Sequence, residues 1–380
     1  MVKYNIHKQL KSLLKSKSSS IEEWFASEYS AVDTLFYASV DIRDSGSKIA
    51  PVDTNIFPAG FNNITPNKYS DVSKQIDVFL AKYPKNSNVL IIPENHTRNE
   101  FYLKSIKSLQ KLIESTNRQV VIGDLNKDLT KQNSRLITKQ QFTPDIIILN
   151  NDLTITIPAI LQNIEQPIIP DTKSGWHLRE KSKHFAKYDE VLSRFCKEFQ
   201  LDKFFLSTAF SNCGKVNFQN SKGLDCIAND VEKMLHLLKG KYKEYEIDEE
   251  PYIFIKAAKG TYGMGIMTVT SGEEVYAMNR KLRKKMHVIK EGALNTKVVI
   301  QEGIRTNIRY KSCPAEVMSY LIGGQIADSF LRVNKSRDEY GNLNKAGVDF
   351  VPITQNEQVH DDIEKYQLLA KLAALAAANE

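Results

Sequence analysis

Lys256 lies on a predicted strand, directly before a loop with three glycines in six residues, Gly260, Gly263 and Gly265. Glycines let backbone N–H groups turn toward an anion, and a lysine on a strand adds a positive charge that does not move with the loop. The pattern predicts a phosphate clamp, with a tight β-hairpin that binds nothing as the alternative. It is not a GxxxxGK[ST] loop, and Thr268 replaces the last glycine of a GxGxxG dinucleotide fingerprint.

The elements around this loop follow a recognisable order. The predicted strands of this region are residues 252–257, 266–269, 297–301, 317–322 and 325–333. A predicted helix, 273–290, precedes the third strand, and Gly323-Gly324 joins the last two strands as a two-residue hairpin turn. The last twenty residues, rich in leucine and alanine, predict a helix that packs on the body. A strand, a glycine loop, a strand, a helix, a strand and then a hairpin is the order of the ATP-grasp fold.

That fold predicts where a nucleotide would bind. In it, backbone groups at the end of the third strand hold adenine, and the triphosphate lies under the glycine loop. The adenine positions in this sequence are Gln301, Glu302, Gly303 and Ile304. The triphosphate would then lie between Lys256 and Arg332.

The first half of the chain alternates short β-branched runs with helical periodicity, which predicts a parallel α/β sheet. The predicted strands are residues 34–40, 89–92, 120–122 and 145–149, and the predicted helices are 71–83 and 99–115. Ligands bind beyond the carboxyl ends of such strands. Arg43 follows the first strand and Arg98 the second, and a guanidinium group suits a substrate carboxylate. Loops are polar in any case, so plain solvent exposure is the alternative for the other polar residues there.

Seven stretches of the sequence resemble one family. They are PVDTNIFPAGFNN (51–63), IPENHTRN (92–99), LNNDL (149–153), EQP (165–167), GWH (175–177), VNFQ (216–219) and KAAKGTYGMGIMTV (256–269). They closely resemble the proteobacterial ATP-grasp type of glutamate–cysteine ligase, and the resemblance runs from about residue 38 to 353. It implies that glutamate, cysteine and ATP give γ-glutamylcysteine, ADP and phosphate with Mg²⁺, the first step of glutathione synthesis.

The resemblance also implies roles for single residues. Lys256 would contact the α- and β-phosphates, and Arg332 would face the transferred phosphoryl group. The residues covering the β- and γ-phosphates would be Lys259, Gly260, Thr261, Tyr262, Gly263, Met264 and Gly265. Arg43 and Arg98 are the candidates for the glutamate carboxylates. The remaining substrate candidates are Asp53 and Asn55, for an α-amino group, together with Asn150 and Asn151.

The metal ligands depart from the usual pattern. Other ATP-grasp enzymes bind metal with an acidic strand and a Glu-x-Asn pair after a long helix, and this sequence stops inside or just after that helix. Asp328, Asn342 and Asn344 are the predicted substitutes, with Glu316 behind them. Mg²⁺ could also be held largely by the triphosphate and water.

Length and composition set the broader limits. The 380 residues predict three parts: a substrate-binding α/β domain at 1–160, a mixed helical segment at 161–250 and an ATP-grasp region at 251–380 with an antiparallel sheet and helices. No apolar run is long enough for a membrane span. The net charge is +7, but no helix-turn-helix, zinc-finger or RNP pattern accompanies it, which argues against nucleic-acid binding.

The four cysteines show no CxxC pairing and no zinc-ligand spacing, so we expect neither a disulfide nor structural zinc, and a reducing cytoplasm fits. The expected partners are small molecules only, and the sequence does not predict an oligomeric state. Two other functions stay open. One is a ligase for a different amino-acid pair, because the clamp determines only the nucleotide. The other is a protein that binds nucleotide without turnover.

Overall fold

Helices and strands alternate along the chain in the computed structural model, which describes residues 4–94, 99–260, 263–345 and 347–380. The helices in these ranges are α1 (Ile6–Tyr29), α2 (Tyr69–Leu80), α3 (Glu100–Glu114), α4 (Lys181–Phe199), α5 (Leu224–Glu244), α6 (Glu273–Tyr276), α7 (Arg280–His287), α8 (Glu357–Asp361) and α9 (Ile363–Ala378). The strands are β1 (Tyr37–Asp44), β2 (Ile49–Asn55), β3 (Val89–Pro93), β4 (Val120–Ile122), β5 (Leu129–Gln132), β6 (Arg135–Thr138), β7 (Ile146–Asn150), β8 (Ile168–Ile169), β9 (Phe210–Gly214), β10 (Ile253–Ala257), β11 (Ile266–Val269), β12 (Lys297–Glu302), β13 (Arg309–Tyr310), β14 (Cys313–Ile322), β15 (Gln325–Asn334) and β16 (Val348–Pro352).

The predicted parallel sheet is present, with strand order β4-β3-β7-β8. Its central strands are buried on both faces. Val89 and Ile91 pack with α2 and α3 on one side, while Leu90 and Ile92 face a separate apolar cluster on the other. A continuous apolar run suits this double burial. The strands at 89–92, 120–122 and 145–149 and both intervening helices are therefore confirmed.

The strand predicted at 34–40 does not belong to this sheet, and that prediction was wrong. β1 runs on to Asp44 and pairs antiparallel with β14 and β2 in a six-stranded sheet of order β16-β15-β14-β1-β2, to which β13 adds beside β14. Asp41 and Arg43 thus lie inside the strand. They alternate with the buried Val40 and Ile42, so one face of β1 is apolar and the other charged.

A four-stranded antiparallel sheet, β11-β10-β12-β9, carries the predicted phosphate clamp. β10 lies between β11 and β12, which puts Lys256 opposite Ile266 and Val299. The helix predicted at 273–290 is divided into α6 and α7, because Asn279 accepts a hydrogen bond from Leu282 N and starts a new helix. The predicted hairpin is confirmed, since β14 and β15 pair antiparallel across Gly323 and Gly324, both at positive φ.

The predicted C-terminal helix is α9, and it is buried almost throughout. A helix that is apolar on all sides belongs inside a protein. α9 packs against α4 and against β1, β2 and β14, so it supports the large sheet from behind. The large sheet takes strands from residues 1–160 and from 251–380. The three-part division of the chain remains a prediction.

The structure contradicts the prediction about cysteines. Cys213, on β9, and Cys226, in the first turn of α5, form a disulfide with a Cα–Cα distance of 6.3 Å. Two cysteines that are 13 residues apart match no common motif, and only the return of α5 onto β9 brings them together. Among the described residues, no helix is both long and apolar enough to cross a membrane.

Candidate active site

The charged face of the large sheet meets the small sheet that carries the glycine loop. Lys256, on β10, lies on one side of this interface, and Asp41, Arg43 and Glu316, on β1 and β14, lie on the other. Together they line a small cavity of about 40 Å³. Because such a space holds about one water molecule, the two sheets are nearly closed on each other here.

Arg332 is at the centre of a buried ion-pair network. Its Nη1 lies 2.5 Å from Asp41 Oδ2 and 2.9 Å from Glu316 Oε1, and Arg43 Nε lies 2.7 Å from Glu316 Oε2. Burial raises the pKa of Asp41 to about 6, with Arg332 opposing the rise and Glu316 adding to it. Burial also acts to raise the pKa of Glu316, but the two arginines outweigh it and the pKa is lowered. The network holds the Arg332 guanidinium in place.

Lys256 is buried, and its Nζ donates to Val52 O at 3.1 Å. Burial lowers its pKa to about 8; Asp53 opposes this, while Lys181 and Arg43 add to it. Asp53 accepts a 2.5 Å hydrogen bond from Lys181 Nζ. Burial disfavours the Asp53 carboxylate, yet Lys181 and Lys256 outweigh it and lower its pKa to about 2. The nearby acids therefore do not fully balance the positive charge of Lys256, and a bound anion would balance it.

The glycine loop has the backbone conformation that glycine permits. Gly260, Gly263 and Gly265 have φ values of 96°, 62° and 59°, in the left-handed region where a side chain would be strained. Lys259 Nζ donates to His177 O at 2.6 Å, and Lys345 Nζ donates to Gly263 O. Met264 is exposed at the loop surface. Thr261 and Tyr262 lie outside the described residues.

A second cavity, of about 730 Å³, adjoins the small one, and Asp41, Asp53 and Asn344 line both. Arg332 and Asn55 line it from the sheet side, and further lining residues are Thr54, Phe57, Tyr102, Trp176, Tyr320 and Phe350. Three of its lining side chains have a buried polar atom with no hydrogen-bond partner in the described part of the chain: Thr54 Oγ1, Trp176 Nε1 and Arg332 Nε. Unpaired buried donors are unfavourable, so a ligand with acceptor oxygens fits this large cavity.

The predicted substrate residues separate into two groups. Asp53 and Asn55 line the large cavity, although Asn55 also bonds to the backbone of Phe57. Asn150 does not line it: its side chain donates to Tyr37 Oη and Pro58 O inside the protein. Asn151 likewise donates to Pro93 O and accepts from Leu153 N. These two asparagines connect strand ends within the protein, and their role as substrate ligands stays a prediction.

The two predicted arginines cannot be treated alike. Arg43 donates to Glu316, Ile304 O and Gly341 O, and it is 2% exposed. Each of its three nitrogens thus donates within the protein, so Arg43 supports Glu316, and its role in binding a glutamate carboxylate stays a prediction. Arg98 lies outside the described residues.

The predicted adenine positions are buried at the end of β12 and already hydrogen-bonded. Glu302 pairs with Lys48 at 2.7 Å, and Gln301 donates to Thr208. Gly303 N donates to Tyr252 O, and the Tyr252 ring lies directly against the Gly303 Cα. Ile304 O accepts from Arg43. The Tyr252 ring occupies the space that a side chain at position 303 would need.

The predicted metal ligands do not form one set. Asn342 and Asn344 line the small cavity with Asp41 and Glu316. Asp328 instead accepts hydrogen bonds from the backbone N and the hydroxyl of Thr65, and it lines neither cavity. The structure therefore does not bring Asp328 together with the two asparagines, and Arg332, four residues further along β15, is the side chain that lines the large cavity.

Sequence reasoning missed several residues of the site. Asp41 lies just beyond the strand predicted at 34–40 but inside the observed β1, and the sequence assigns no role to Lys181 or Trp176. The only signal for Trp176 was its place in the GWH stretch at 175–177. Lys181 is four residues after that stretch, at the start of α4, where nothing in the sequence shows that it would face Asp53.

Comparisons with known proteins show the family to which the chain is similar. A family profile, GshA, glutamate-cysteine ligase, matches residues 11–135 and 127–380. The crystal structure of a protein provisionally named gamma-glutamylcysteine synthetase, from Methylobacillus flagellatus KT, is 35% identical over 100% of this chain and 98% of its own, with a TM-score of 0.89. The comparison with curated proteins gave no match.

Two more distant structures resemble the chain only weakly. A glutathione synthetase-like effector from Globodera pallida is 9% identical, with 90% of this chain and 83% of its own covered and a TM-score of 0.40. D-alanyl-alanine synthetase A from Vibrio cholerae is 13% identical, with 74% and 80% covered and a TM-score of 0.36. Similarity at this level supports no conclusion about the fold.

Proposed function

The chain belongs to the glutamate–cysteine ligase family and is an enzyme of that type, and we propose that it joins the γ-carboxylate of L-glutamate to the amine of L-cysteine with ATP. The products would be γ-glutamylcysteine, ADP and phosphate. One observation carries the proposal: Lys256, before the glycine loop, meets the Arg332 network where the small cavity adjoins one large enough for amino acids.

The reaction needs cations because it brings anions together. A carboxylate is a poor electrophile, so its oxygen first attacks the γ-phosphorus of ATP, which gives an acyl phosphate and ADP. The amine of cysteine then attacks the acyl carbon, and the carbon–oxygen bond to phosphate breaks. Fixed positive charges stabilise both steps, since they need not reorganise as charge develops. In an ATP-grasp arrangement, the triphosphate would lie under the glycine loop beside Lys256.

Arg332 is the best candidate for the group that faces the transferred phosphoryl group. Asp41 and Glu316 fix its Nη1, while its Nε is buried and has no partner among the described residues. That N–H can donate to a phosphoryl oxygen or to the oxyanion. Lys256, with a pKa of about 8, is mostly charged at neutral pH, and a triphosphate would raise this pKa further.

The oxygen donors around the small cavity suit Mg²⁺. Asp41, Glu316, Asn342 and Asn344 present carboxylate and amide oxygens, the ligand type that this ion prefers. Oxygens of these residues and of the phosphates would jointly coordinate the ion. When bound, Mg²⁺ would offset the negative charge of the triphosphate.

The large cavity is the proposed amino-acid site. Asp53 is ionised at all moderate pH values, and with Asn55 it can accept hydrogen bonds from a substrate ammonium group. Thr54 and Trp176 offer donors to a carboxylate. Arg98 remains a predicted carboxylate ligand.

The test is ADP release measured with each amino acid alone and with both together. We expect release that depends on glutamate and cysteine jointly, with γ-glutamylcysteine found by mass spectrometry. Equal ADP release with either amino acid alone, or a clear preference for another pair, would contradict the assignment. Nucleotide binding without any ADP release would favour a protein that binds nucleotide without turnover.

A further inference from the structure

A buried cluster of three polar side chains lies behind one wall of the large cavity. Arg179 donates to Glu380 twice, with Nε 2.6 Å from Oε2 and Nη2 2.8 Å from Oε1. His184 Nδ1 lies 2.6 Å from the same Oε1. The side chains of Arg179 and His184 are each 4% exposed, and that of Glu380 is 13% exposed. These three residues, the Arg179 cluster, line neither cavity themselves.

The fold brings the cluster together from distant parts of the chain. Glu380 follows α9, which packs against α4, and α4 carries His184. Burial disfavours the Glu380 carboxylate, but Arg179 and His184 outweigh burial and lower its pKa to about 2. Because an ionised carboxylate only accepts hydrogen bonds, His184 Nδ1 carries the proton. The two parallel bonds to Glu380 hold the Arg179 guanidinium in one orientation.

The Arg179 guanidinium connects this cluster to two parts of the cavity wall. Its third nitrogen, Nη1, donates to Thr54 O on β2 at 2.9 Å. Its central carbon lies 4.8 Å from the centre of the Trp176 ring, a favourable position for a cation. Thr54 and Trp176 both line the large cavity. One guanidinium therefore determines how β2 and the Trp176 ring lie relative to each other.

The two wall residues carry the polar atoms that a ligand would meet. Thr54 Oγ1 and Trp176 Nε1 are buried and have no hydrogen-bond partner in the part of the chain that the structure describes. A buried polar atom of this kind is unfavourable until a ligand pairs with it. Asp53, the acid proposed to bind a substrate ammonium group, directly precedes Thr54. Arg179 thus holds the groups proposed to bind both the ammonium and the carboxylate of an amino acid.

Glu380 also affects the charge around Asp53. Burial disfavours the Asp53 carboxylate, and the positive charges of Lys181, Lys256 and Arg179 act against burial, so the pKa falls to about 2. A substrate ammonium group at Asp53 would therefore lie near three cations. Glu380 balances one of them, Arg179. Without this carboxylate, a further positive charge would repel the ammonium group in a buried place where screening is weak.

We propose that Arg179 is a positioning residue for the amino-acid site, and that Glu380 and His184 hold its guanidinium where it fixes Trp176 and Thr54. This inference rests on the proposed function, because it takes the large cavity as the amino-acid site. Groups that bind a ligand must be held within about 0.5 Å of the productive position, and residues behind them provide this support. The hydrogen bonds of Arg179 go to Glu380, Thr54 O and Gly175 O, so the effect should fall on amino acids and not on ATP.

The test compares the KM values of Glu380→Gln and Glu28→Gln. Glu28 also accepts from two nitrogens of one arginine, Arg194, at 3.1 and 2.5 Å, but it joins α1 to α4 and lines neither cavity. Glu380→Gln should raise the KM for one amino acid about tenfold and change the KM for ATP less than about twofold. Glu28→Gln should change neither value. A folded Glu380→Gln protein with both amino-acid KM values unchanged, or with the KM for ATP raised equally, would overturn the proposal.

A second measurement needs no turnover. The chain has two tryptophans, and Trp24 packs among aromatic rings of α1 and α4 and lines neither cavity. Trp24→Phe therefore leaves Trp176 as the only source of tryptophan fluorescence. Trp176 is 2% exposed, so acrylamide should quench this fluorescence weakly. In the same background, Glu380→Gln should raise the quenching constant, and Glu28→Gln should not.

A third variant keeps the outcome decisive if Glu380→Gln does not fold. Breaking a buried ion pair is strongly destabilising, whereas replacing both partners with apolar side chains is often neutral. The double variant Arg179→Met, Glu380→Met should therefore fold and show the same rise in KM and in quenching. Unchanged KM and quenching in a folded variant would refute the role of Arg179 alone. If the unsubstituted protein makes no γ-glutamylcysteine, the proposed function fails, and quenching still shows whether the cluster holds Trp176.

Discussion

Replacing Lys256 with methionine should abolish turnover and at the same time stabilise the fold near neutral pH. The ammonium group is buried, and its pKa is lowered from 10.5 to about 8. A tenfold change in a protonation constant is worth about 1.4 kcal/mol, so the charged lysine destabilises the folded state by up to about 3 kcal/mol. Methionine has nearly the same length and carries no charge. Asp53 keeps its 2.5 Å bond to Lys181 in the variant.

The pH dependence gives this prediction a definite sign. Below about pH 8, Lys256 is protonated in both the folded and the unfolded state, and the destabilisation is present in full. Between about 8 and 10.5, the folded protein loses the proton first, so the destabilisation disappears as pH rises. The advantage of Lys256→Met should therefore be largest at pH 7 and shrink toward pH 10. Urea unfolding at several pH values, with ADP release as the activity assay, measures both effects.

A control from the neighbouring strand separates charge from packing. Lys297, on β12, is 35% exposed and pairs with Glu180, so Lys297→Met should give no such gain. Two results would refute the argument about burial. One is a Lys256→Met protein that is less stable than the parent at pH 7, and the other is a difference in unfolding free energy between the two proteins that does not change with pH. Near-normal turnover in the variant would place the phosphate site elsewhere.

Three more outcomes follow from the site. Arg332→Met removes the partner of the buried Asp41 and should lower the free energy of unfolding by about 3 kcal/mol, with loss of turnover; a stability change near zero would contradict the buried network. Trp176→Phe keeps an aromatic ring but removes the indole N–H, which has no partner among the residues that the structure describes. It should raise the KM for one amino acid about fivefold and leave the KM for ATP unchanged, which steady-state kinetics would show. Reduction of the Cys213–Cys226 disulfide, which joins residues 13 apart in the sequence, should lower the free energy of unfolding in urea by about 3 kcal/mol. The stability of Cys226→Ser should not change with dithiothreitol. An equal loss of stability in the parent and in this variant would contradict the pairing.

Local periodicity was enough to predict most of the secondary structure. The strands β3, β4, β7, β10, β11 and β12 and the β14–β15 hairpin were predicted because apolar runs and glycine turns are local signals. β1 was assigned to the wrong sheet because strand pairing is not local. Asp41 and Arg43 follow the predicted strand as charged residues, which favours a loop. Their charges are balanced by Arg332 and Glu316, which lie almost 300 residues later in the chain.

The site was only partly predictable for the same reason. Lys256, Asp53, Asn55 and Arg332 line the two adjoining cavities, and each belongs to a motif or a strand with a clear local signal, but their roles in binding stay predictions. Asn150 and Asn151 occur in an equally distinctive motif, yet their side chains bond to the backbone of neighbouring segments. A motif indicates that residues matter together. It does not distinguish a ligand contact from a contact that holds two loops in place.

The charges at the sheet interface argue that nucleotide and metal bind together. The cations Arg43, Lys181, Lys256 and Arg332 face the acids Asp41, Asp53 and Glu316 across short ion pairs or close electrostatic contacts, which leaves the interface nearly neutral. A triphosphate alone would add several negative charges beside the buried carboxylates of Asp41 and Glu316, where repulsion is poorly screened. On the proposed function, a divalent cation bound with the triphosphate would restore the balance, and carboxylates are oxygen ligands of the type that such a cation prefers. Asp41 and Glu316, the acids that hold Arg332, would then be candidates to bind Mg²⁺ together with phosphate oxygens.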